Sequence, residues 1–214
     1  MISCITYDNL HEFGNAFYSQ FLLRHESFIE RQSYDVRVYN GMEYDQYDTP
    51  ASAYLVYHEG GRALGTSRLT PTTHSCMLRD LWPELVLDKS LLDSPFVWEG
   101  TRYCIAKGIC PQLRQHIIHE MATAYLEFGL AHGLKRIIGM MPTYIYRSVF
   151  ERPGIAMEYL GDIKMIGRHR VRAVAIPVEP SQLDNVRRKT GITRSVLRFA
   201  PERAERDMQY AQAA

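Results

Sequence analysis

Cysteine is scarce in this sequence, and no two cysteines form a C-x-x-C pair. The cysteines that are present lie far apart, at Cys4, Cys76, Cys104 and Cys110. This spacing argues against a zinc ribbon, a disulfide framework and a dithiol redox motif. The sequence therefore predicts reduced thiols.

Long hydrophobic runs are also missing. The longest apolar stretches, such as Ile137 to Met141, fall far short of the roughly 20 residues that a membrane helix requires. The amino-terminal segment has no basic stretch followed by an apolar one, which is the pattern of a secretory signal. These absences predict a cytoplasmic protein without a membrane span.

The chain has no large net charge, since its formal value is +1 at pH 7. This excludes the strongly basic profile of a non-specific nucleic-acid-binding protein. The charge is nevertheless unevenly spread: residues 1–60 contain nine acidic and three basic residues, whereas residues 135–206 contain seven acidic and fifteen basic ones. If both segments border one cleft, one side would attract a cation and the other an anion. Ordinary solvated surface explains the gradient equally well.

The remaining composition is that of a globular protein. With 214 residues, 46% of them hydrophobic, the chain can bury a sizeable core and still enclose a pocket. We therefore expect a single domain over residues 1–214.

The first half of the chain predicts a strand, a helix, a loop and a hairpin. Asp8 is expected to cap a helix in which three aromatic residues recur at i, i+4 and i+8, namely Phe13, Phe17 and Phe21. Residues 33–50 are polar and Tyr-rich without a sustained period, which predicts a long binding loop. Residues 53–71 contain two β-rich runs that meet at a glycine pair, which predicts a hairpin.

The second half alternates strands with helices. The predicted elements are a strand at 95–105, a long helix from Pro111 to His132, a buried strand at 135–141, a short helix from Tyr144 to Arg152 and a late strand at 167–178. In the first of these strands, simple alternation puts Val97, Glu99, Thr101 and Tyr103 on one face, and Trp98, Gly100 and Arg102 on the other. The order of elements predicts an α/β sandwich with a mixed sheet.

Several common chemistries have no motif in the sequence. There is no G-x-S-x-G, no G-x-x-x-x-G-K-[ST] and no H-E-x-x-H, which argues against a hydrolase elbow, a P-loop and a zincin site. His116, His119 and Glu120 have helical spacing but match no zinc signature, so we expect no metal.

An ordered set of charged and aromatic residues is more informative. It consists of Arg24 and Phe28 at the end of the first helix, Asp45 and Asp48 in the loop, Arg68 in the hairpin, and Glu99 and Arg102 in the next strand. This set resembles the acyl-homoserine lactone synthase, or autoinducer synthase, family, with its Arg and Phe on the first helix, D-x-x-D loop, Arg and later E-x-x-R. The same charged residues would also suit an ion-pair network that braces the loop against the sheet.

The resemblance implies a fold and a reaction. The fold would be a GNAT-like three-layer α/β/α sandwich with a central mixed, splayed β-sheet. The reaction would transfer an acyl group from a thioester to the amine of S-adenosylmethionine and then close the lactone with release of methylthioadenosine. Both compounds would be substrates, so no cofactor is implied. The acyl donor would be acyl-CoA, favoured over acyl carrier protein, and the acyl group short and branched or aryl.

Residue roles follow from the same resemblance. Glu99 would be the general base and Arg102 its catalytic neighbour. The donor would be bound by Arg24, Phe28, Tyr34, Asp45, Asp48 and Arg68, with Tyr34 standing where the family commonly has Trp. The acyl group would lie against Met140, Met141, Thr143, Tyr144, Tyr146 and Phe150, although packing in the core explains each of these residues equally well. Basic residues between Arg147 and Arg172 would meet a nucleotide phosphate or an acidic carrier.

Two other functions fit the same sequence. One is a different GNAT-type N-acyltransferase that acts on an amino acid or an antibiotic. The other is a non-catalytic module that senses S-adenosylmethionine or an acyl thioester.

Overall fold

The computed structural model describes residues 1–200. Residues 201–214, which belong to the predicted domain and include the end of the basic segment, lie outside the described residues. The strands are β1 (Ile2–Ile5), β2 (Val38–Tyr39), β3 (Met42–Glu43), β4 (Ala53–Glu59), β5 (Arg62–Pro71), β6 (Val97–Ile105), β7 (Arg136–Pro142), β8 (Glu158–Tyr159), β9 (Lys164–Ile166), β10 (His169–Pro177) and β11 (Leu197–Arg198). The α-helices are α1 (Gly14–His25), α2 (Met77–Leu81), α3 (Pro111–Ala131) and α4 (Pro180–Thr190).

One large mixed sheet organises the described chain. Its strand order is β11-β1-β4-β5-β6-β7-β10-β8, with β9 paired to β10, while β2 and β3 form a separate small hairpin. The β6–β7 and β1–β11 pairs are parallel and the other pairs are antiparallel. The predicted mixed sheet is confirmed, and so is the hairpin over residues 53–71.

The helices cover both faces of the sheet. A Cβ on Gly65 of β5 would meet Ile117 of α3 at 2.7 Å, whereas the next residue, Thr66, donates to Gln20 of α1 at 3.4 Å. Because successive residues of a strand point to opposite faces, α1 and α3 lie on opposite sides of the sheet. This arrangement confirms the predicted GNAT-like three-layer sandwich.

The sheet splits between its two central strands. The ladder between β6 and β7 contains only the pairs Val97–Arg136, Trp98–Ile137 and Glu99–Ile138, and beyond it the strands diverge. Gly139 follows at the point where the two strands begin to separate, which we call the apex of the split. A Cβ on Gly139 would lie 2.8 Å from the carbonyl oxygen of Gly100. The missing side chain lets the two backbones approach closely just before they separate.

An irregularity in β6 changes which side chains share a face. Between Cys104 and Thr101 the register against β5 shifts, and Arg102 has a left-handed backbone with φ of 55°. As a result, Arg102 turns to the face that carries Glu99 and Thr101. The predicted alternation was therefore wrong at Arg102 and also at Tyr103, which packs against Phe150 on the α3 face, because it assumed a regular strand.

Two local predictions also need correction. Asp8 does not cap α1. A 3₁₀ turn precedes the helix, and the N-cap of that turn is Asn9. Its Oδ1 accepts from the Thr6 amide at 2.7 Å. The segment predicted as a helix from Tyr144 to Arg152 contains a single π-helical turn over Arg147–Glu151. Phe13 is buried as expected, while Phe17 and Phe21 pack partly buried against the core.

Candidate active site

Six charged side chains close into a ring that we call the charge ring. Around the ring, arginines alternate with carboxylates in the order Arg24, Asp48, Arg68, Asp45, Arg102 and Glu43. These residues come from α1, the loop, β5, β6 and β3. Each carboxylate therefore contacts two arginines, and the opposite charges compensate one another away from water.

One half of the charge ring is centred on Arg24, which is fully buried. Its Nε donates to Glu43 Oε2 at 2.6 Å, and its Nη1 and Nη2 donate to the two oxygens of Asp48 at 2.8 Å each. Burial alone would raise the pKa of Asp48. The hydrogen bonds and charges of Arg24 and Arg68 outweigh that effect and hold the pKa of Asp48 well below its usual range.

The other half of the charge ring is centred on Asp45. Arg68 Nη1 donates to Asp45 Oδ1 at 2.6 Å, and Arg102 Nη2 donates to Asp45 Oδ2 at 2.6 Å. Arg102 also reaches Glu43 at 2.9 Å. These bonds fix the loop to β5 and β6, as expected for a bracing ion-pair network.

Glu99 lies outside the charge ring. It is 2% exposed, and its two oxygens accept from the backbone amides of Met77 and Leu78 in α2 at 2.7 Å each. Burial outweighs these hydrogen bonds and raises the pKa of Glu99 to about 7. A carboxyl group with this pKa can accept or give a proton near neutral pH.

A cavity of ≈ 980 Å³ opens at the split in the sheet. Gly100, Thr101 and Arg102 of β6 line it on one side, and the residues from Gly139 to Pro142 of β7 line it on the other. Glu99 and Asp45 are also part of its wall. The cavity therefore exists because the two strands diverge, and it brings the predicted base and the charge ring to one place.

The cavity has apolar walls on both faces of the sheet. On the α3 face they are Tyr103, Tyr125, Met141, Ile145, Phe150 and Ile176, which we call the α3 chamber. On the α2 face they are Leu78, Trp82, Ile138, Met140, Ile166 and Val171, which belong to a separate hydrophobic cluster. The polar groups Glu99 and Asp45 stand on the α2 face.

Aromatic rings surround the cavity mouth. Phe28 and Tyr34 stack with ring centroids 5.9 Å apart, and the Arg102 guanidinium lies 5.6 Å from the centre of the Phe28 ring. Tyr34 also makes an edge contact with His169 at 6.1 Å. Arg168 donates to the carbonyl of Gln32 at 2.9 Å across the mouth. The loop and the hairpin of β9 and β10 thus meet over the opening.

The structure brings most of the predicted site residues together. Those that line the cavity are Phe28, Tyr34, Asp45, Glu99, Arg102, Met140, Met141 and Phe150. Arg24, Asp48 and Arg68 do not line it and instead complete the charge ring behind Asp45 and Arg102. These three predicted donor-binding residues therefore lie in the charge ring beside the cavity and not in its wall.

Three of the predicted acyl-binding residues do not line the cavity. Tyr146 is buried, and its hydroxyl donates to the backbone carbonyls of Met141 and Arg172. Tyr144 is 69% exposed. Thr143 is absent from the wall, and its amide bonds the Arg170 carbonyl at 2.9 Å. Of the six predicted acyl-binding residues, Met140, Met141 and Phe150 line the cavity, where Tyr103 and Tyr125 lie beside them.

Two residues of the site, Glu43 and Met77, were not predicted from the sequence. Glu43 is fully buried and joins Arg24 to Arg102, and its position two residues before Asp45 was the available signal. Met77 Sδ accepts from Arg102 Nη1 at 3.3 Å. Nothing in the sequence singled it out. Arg102 pairs with Glu43 and Asp45, and no ion pair between Arg102 and Glu99 is found among residues 1–200.

Neither a metal cluster nor a membrane helix is found in the described part of the chain. Residues 1–200 contain no group of three or more His, Cys, Asp or Glu side chains that could hold a metal ion. None of their helices is both long and apolar enough to cross a bilayer.

Known proteins share this architecture and sequence. The model of the autoinducer synthase family matches residues 9–186. The isovaleryl-homoserine lactone synthase of Bradyrhizobium diazoefficiens is 27% identical over 203 residues, which cover 94% of this chain and 90% of that protein. An acyl-homoserine-lactone synthase of Ralstonia solanacearum is 30% identical over 164 residues, or 74% of this chain and 80% of that protein.

A solved structure has a similar fold. The CoA-dependent acyl-homoserine lactone synthase BjaI, determined with SAM and isopentyl-CoA, superimposes with a TM-score of 0.81, 26% identity and 99% coverage of both chains. The family model covers far more than half of this chain, and the resemblance inferred from the sequence is confirmed. The chain belongs to the autoinducer synthase family.

Proposed function

We propose that the protein makes an N-acyl-L-homoserine lactone, a quorum-sensing signal, from S-adenosylmethionine and an acyl-CoA, and that it releases methylthioadenosine. One observation carries this proposal. A single cavity connects a polar side, which contains Glu99, Asp45 and Arg102, with the apolar α3 chamber through the split between β6 and β7. A reaction between a charged amino acid and an acyl thioester needs both environments in contact.

The amino donor fits the polar side. Its sulfonium is positive and its carboxylate negative, so it needs both aromatic or acidic surface and an arginine. The aromatic and acidic surface consists of the stacked rings of Phe28 and Tyr34 and the carboxylate of Asp45. The arginine is Arg102. Arg24, Asp48 and Arg68 hold Asp45 and Arg102 in position and would not touch the donor.

Glu99 is the proposed base for acylation. Its carboxylate takes a proton from the donor ammonium, directly or through a water molecule, and the freed amine attacks the thioester carbonyl. A nitrogen–carbon bond forms, the carbon–sulfur bond breaks, and coenzyme A leaves as its thiolate. The donor carboxylate then attacks its own γ-carbon, the bond from that carbon to the sulfonium breaks, and neutral methylthioadenosine leaves.

The bulge in β6 suits the stabilisation of the tetrahedral intermediate. Its oxygen gains negative charge, and the segment from Thr101 to Tyr103, whose backbone amides are the proposed donors, borders the cavity where β7 has diverged. Fixed amide donors at such a point lower the barrier because they need no reorganisation.

The α3 chamber is the proposed acyl site. Tyr103, Tyr125 and Phe150 form its floor, with ring centroids 5.9 Å and 5.7 Å apart along the series Tyr103, Phe150, Tyr125. These large side chains limit the space in the α3 chamber to a short branched or aryl group. The isopentyl-CoA bound by BjaI supports CoA as the carrier, with acyl carrier protein as the other candidate. Both substrates occur in the cytoplasm, where we place this single-domain enzyme.

The decisive experiment follows both products. Purified protein is incubated with S-adenosylmethionine and a panel of acyl-CoA and acyl-carrier thioesters, and methylthioadenosine and product mass are measured. Lactone and methylthioadenosine in equal amounts are expected with short branched or aryl acyl-CoA. Acylation of another amine without methylthioadenosine would identify a different N-acyltransferase, and binding without turnover would identify a sensing module.

A further inference from the structure

A second, smaller pocket lies on the other side of the loop that carries Asp45. Its volume is ≈ 250 Å³. Its walls are Thr6, Tyr7, Leu10, Phe17, Phe21, Tyr44, Asp48, Thr49, Pro50, Ser52 and Tyr54. None of these residues lines the large cavity. We call this space the aromatic pocket.

We propose that the aromatic pocket binds an uncharged aromatic ligand of one or two fused rings, and that the bound ligand stabilises the substrate-binding position of the loop. The volume of the aromatic pocket supports the binding of such a ligand. An apolar cavity of about 150 Å³ in a protein can take up benzene, so the larger aromatic pocket suits a fused pair of rings.

The walls of the pocket set the chemical class of the ligand. Phe17 meets Phe21 at 5.2 Å and Tyr54 at 5.4 Å, with interplanar angles of 84° and 75°. Phe21 in turn meets Tyr44 at 6.4 Å and 83°. Rings at these angles present both faces and edges to the space between them, which favours another aromatic ring over a flexible alkyl chain.

The ligand should carry no charge, although Asp48 is part of the wall. Asp48 Oδ1 accepts from Arg24 and Tyr54 at 2.8 and 3.0 Å, and Oδ2 accepts from Arg24 and from the Asp45 amide at 2.8 Å each. Arg68 adds a contact of 2.9 Å to Oδ1. These partners already neutralise Asp48, so neither a cation nor an anion gains from entering.

The loop couples the two cavities. Asp45, Gln46 and Tyr47 line the large cavity, and Tyr44, Asp48 and Thr49 line the aromatic pocket. A ligand that packs against the outer side of this segment favours the position in which Asp45 bonds Arg68 and Arg102. Coupling between two sites is reciprocal, so a ligand that prefers this position also strengthens donor binding. The coupling to donor binding rests on the proposed function, whereas the binding of an aromatic ligand to the aromatic pocket does not.

The binding test uses indole as the probe. Isothermal titration calorimetry is performed on the full chain saturated with methylthioadenosine, so that the donor side of the large cavity is filled. Indole binding that depends on Tyr44 is expected, in addition to any binding in the α3 chamber, which also suits an aryl group. Tyr44→Ala should weaken binding about 2- to 10-fold, the worth of one aromatic contact, while Tyr44→Phe should restore it. Tyr18→Ala is the matched control, because Tyr18 is a similarly exposed tyrosine outside the pocket.

Several outcomes would overturn the proposal. Absence of indole binding, or binding that Tyr44→Ala leaves unchanged, would exclude the aromatic pocket as the site. The affinity for S-adenosylmethionine is then measured with and without indole. Tighter donor binding that disappears in Tyr44→Ala is expected, and an unchanged donor affinity would disprove the coupling. Indole binding by a protein that makes no lactone would refute the proposed function and leave the pocket proposal intact.

Discussion

Arg102 donates to Asp45 at 2.6 Å from a backbone position that a regular strand would not provide. A left-handed φ in a residue other than glycine costs of order 1 kcal/mol and persists where surrounding contacts hold it. The bonds from Arg102 to Asp45 and Glu43 are such contacts. The shape of the central strand and the position of the loop therefore depend on each other.

Replacing Arg24 with Met should destabilise the protein by about 3–5 kcal/mol, because Glu43 and Asp48 would stay buried without their shared partner. Urea unfolding at neutral pH measures this change. Arg62→Met is the control, since Arg62 is exposed at the start of β5, and it should alter stability by less than about 0.5 kcal/mol. Equal stabilities of the two variants would show that the charge ring does not stabilise the fold.

Catalysis should depend on pH through Glu99. The base must be a carboxylate, and burial raises its pKa to about 7, so it is mostly neutral below that pH and charged above it. The value of kcat/KM should therefore rise with pH through about 7 and then level off, as measured by methylthioadenosine release over a series of buffers. A flat profile across this range would argue against Glu99 as the base.

Glu99→Gln should lower the rate of acylation by about 10²–10⁴-fold, the usual contribution of a general base. It should also remove the rising limb of the pH profile while the Kd for S-adenosylmethionine stays nearly unchanged. Glu84→Gln, at an exposed position, is the control and should behave as the unmodified protein does. An equal loss of donor affinity and acylation would assign Glu99 a structural role in holding α2.

Phe150→Ala should shift the acyl preference towards longer chains, because it removes a ring from the floor of the α3 chamber. Tyr146→Phe separates this effect from general disturbance. It should leave the acyl preference unchanged but cost about 1–3 kcal/mol of stability, since the carbonyls of Met141 and Arg172 lose the donor that they share. Competition between acyl-CoA substrates, read by product mass, gives the preference. A Tyr146→Phe variant with altered selectivity would return Tyr146 to the acyl site.

Gly139→Ala should destabilise the protein and slow turnover, because its Cβ would lie 2.8 Å from the backbone oxygen of Gly100. Gly14→Ala provides the comparison, since a Cβ there meets nothing within 4 Å. Thermal unfolding and methylthioadenosine release are measured for both variants. If Gly139→Ala matches Gly14→Ala in both assays, the close approach at the apex is not required.

The sequence predicted the regular parts of the molecule well. Pro111 and the apolar residues that follow predicted α3, and the β-rich runs around residues 53–71 predicted the hairpin. These elements follow local rules of propensity and period. The ordered charged residues also predicted the family, since their identities and spacing are read directly from the chain.

The parts that the sequence did not predict depend on non-local geometry. Alternation along residues 95–105 cannot reveal a bulge, and the bulge decides that Arg102 joins Asp45. The helical pattern after Tyr144 cannot reveal that the Tyr146 hydroxyl is used by backbone carbonyls of neighbouring strands. In both cases a tertiary contact overrides the local pattern.

Beyond Glu99, strand β6 keeps a ladder partner on the β5 side only. An exposed strand edge usually sits at the rim of a sheet, where it invites pairing with other protein chains and aggregation. Here the open edge is in the middle of the sheet and faces the large cavity. A slender extended molecule with its own amide groups can still enter and align there, much as a peptide adds to a sheet. The fold thus offers such a molecule an open strand edge inside the sheet and not at its rim.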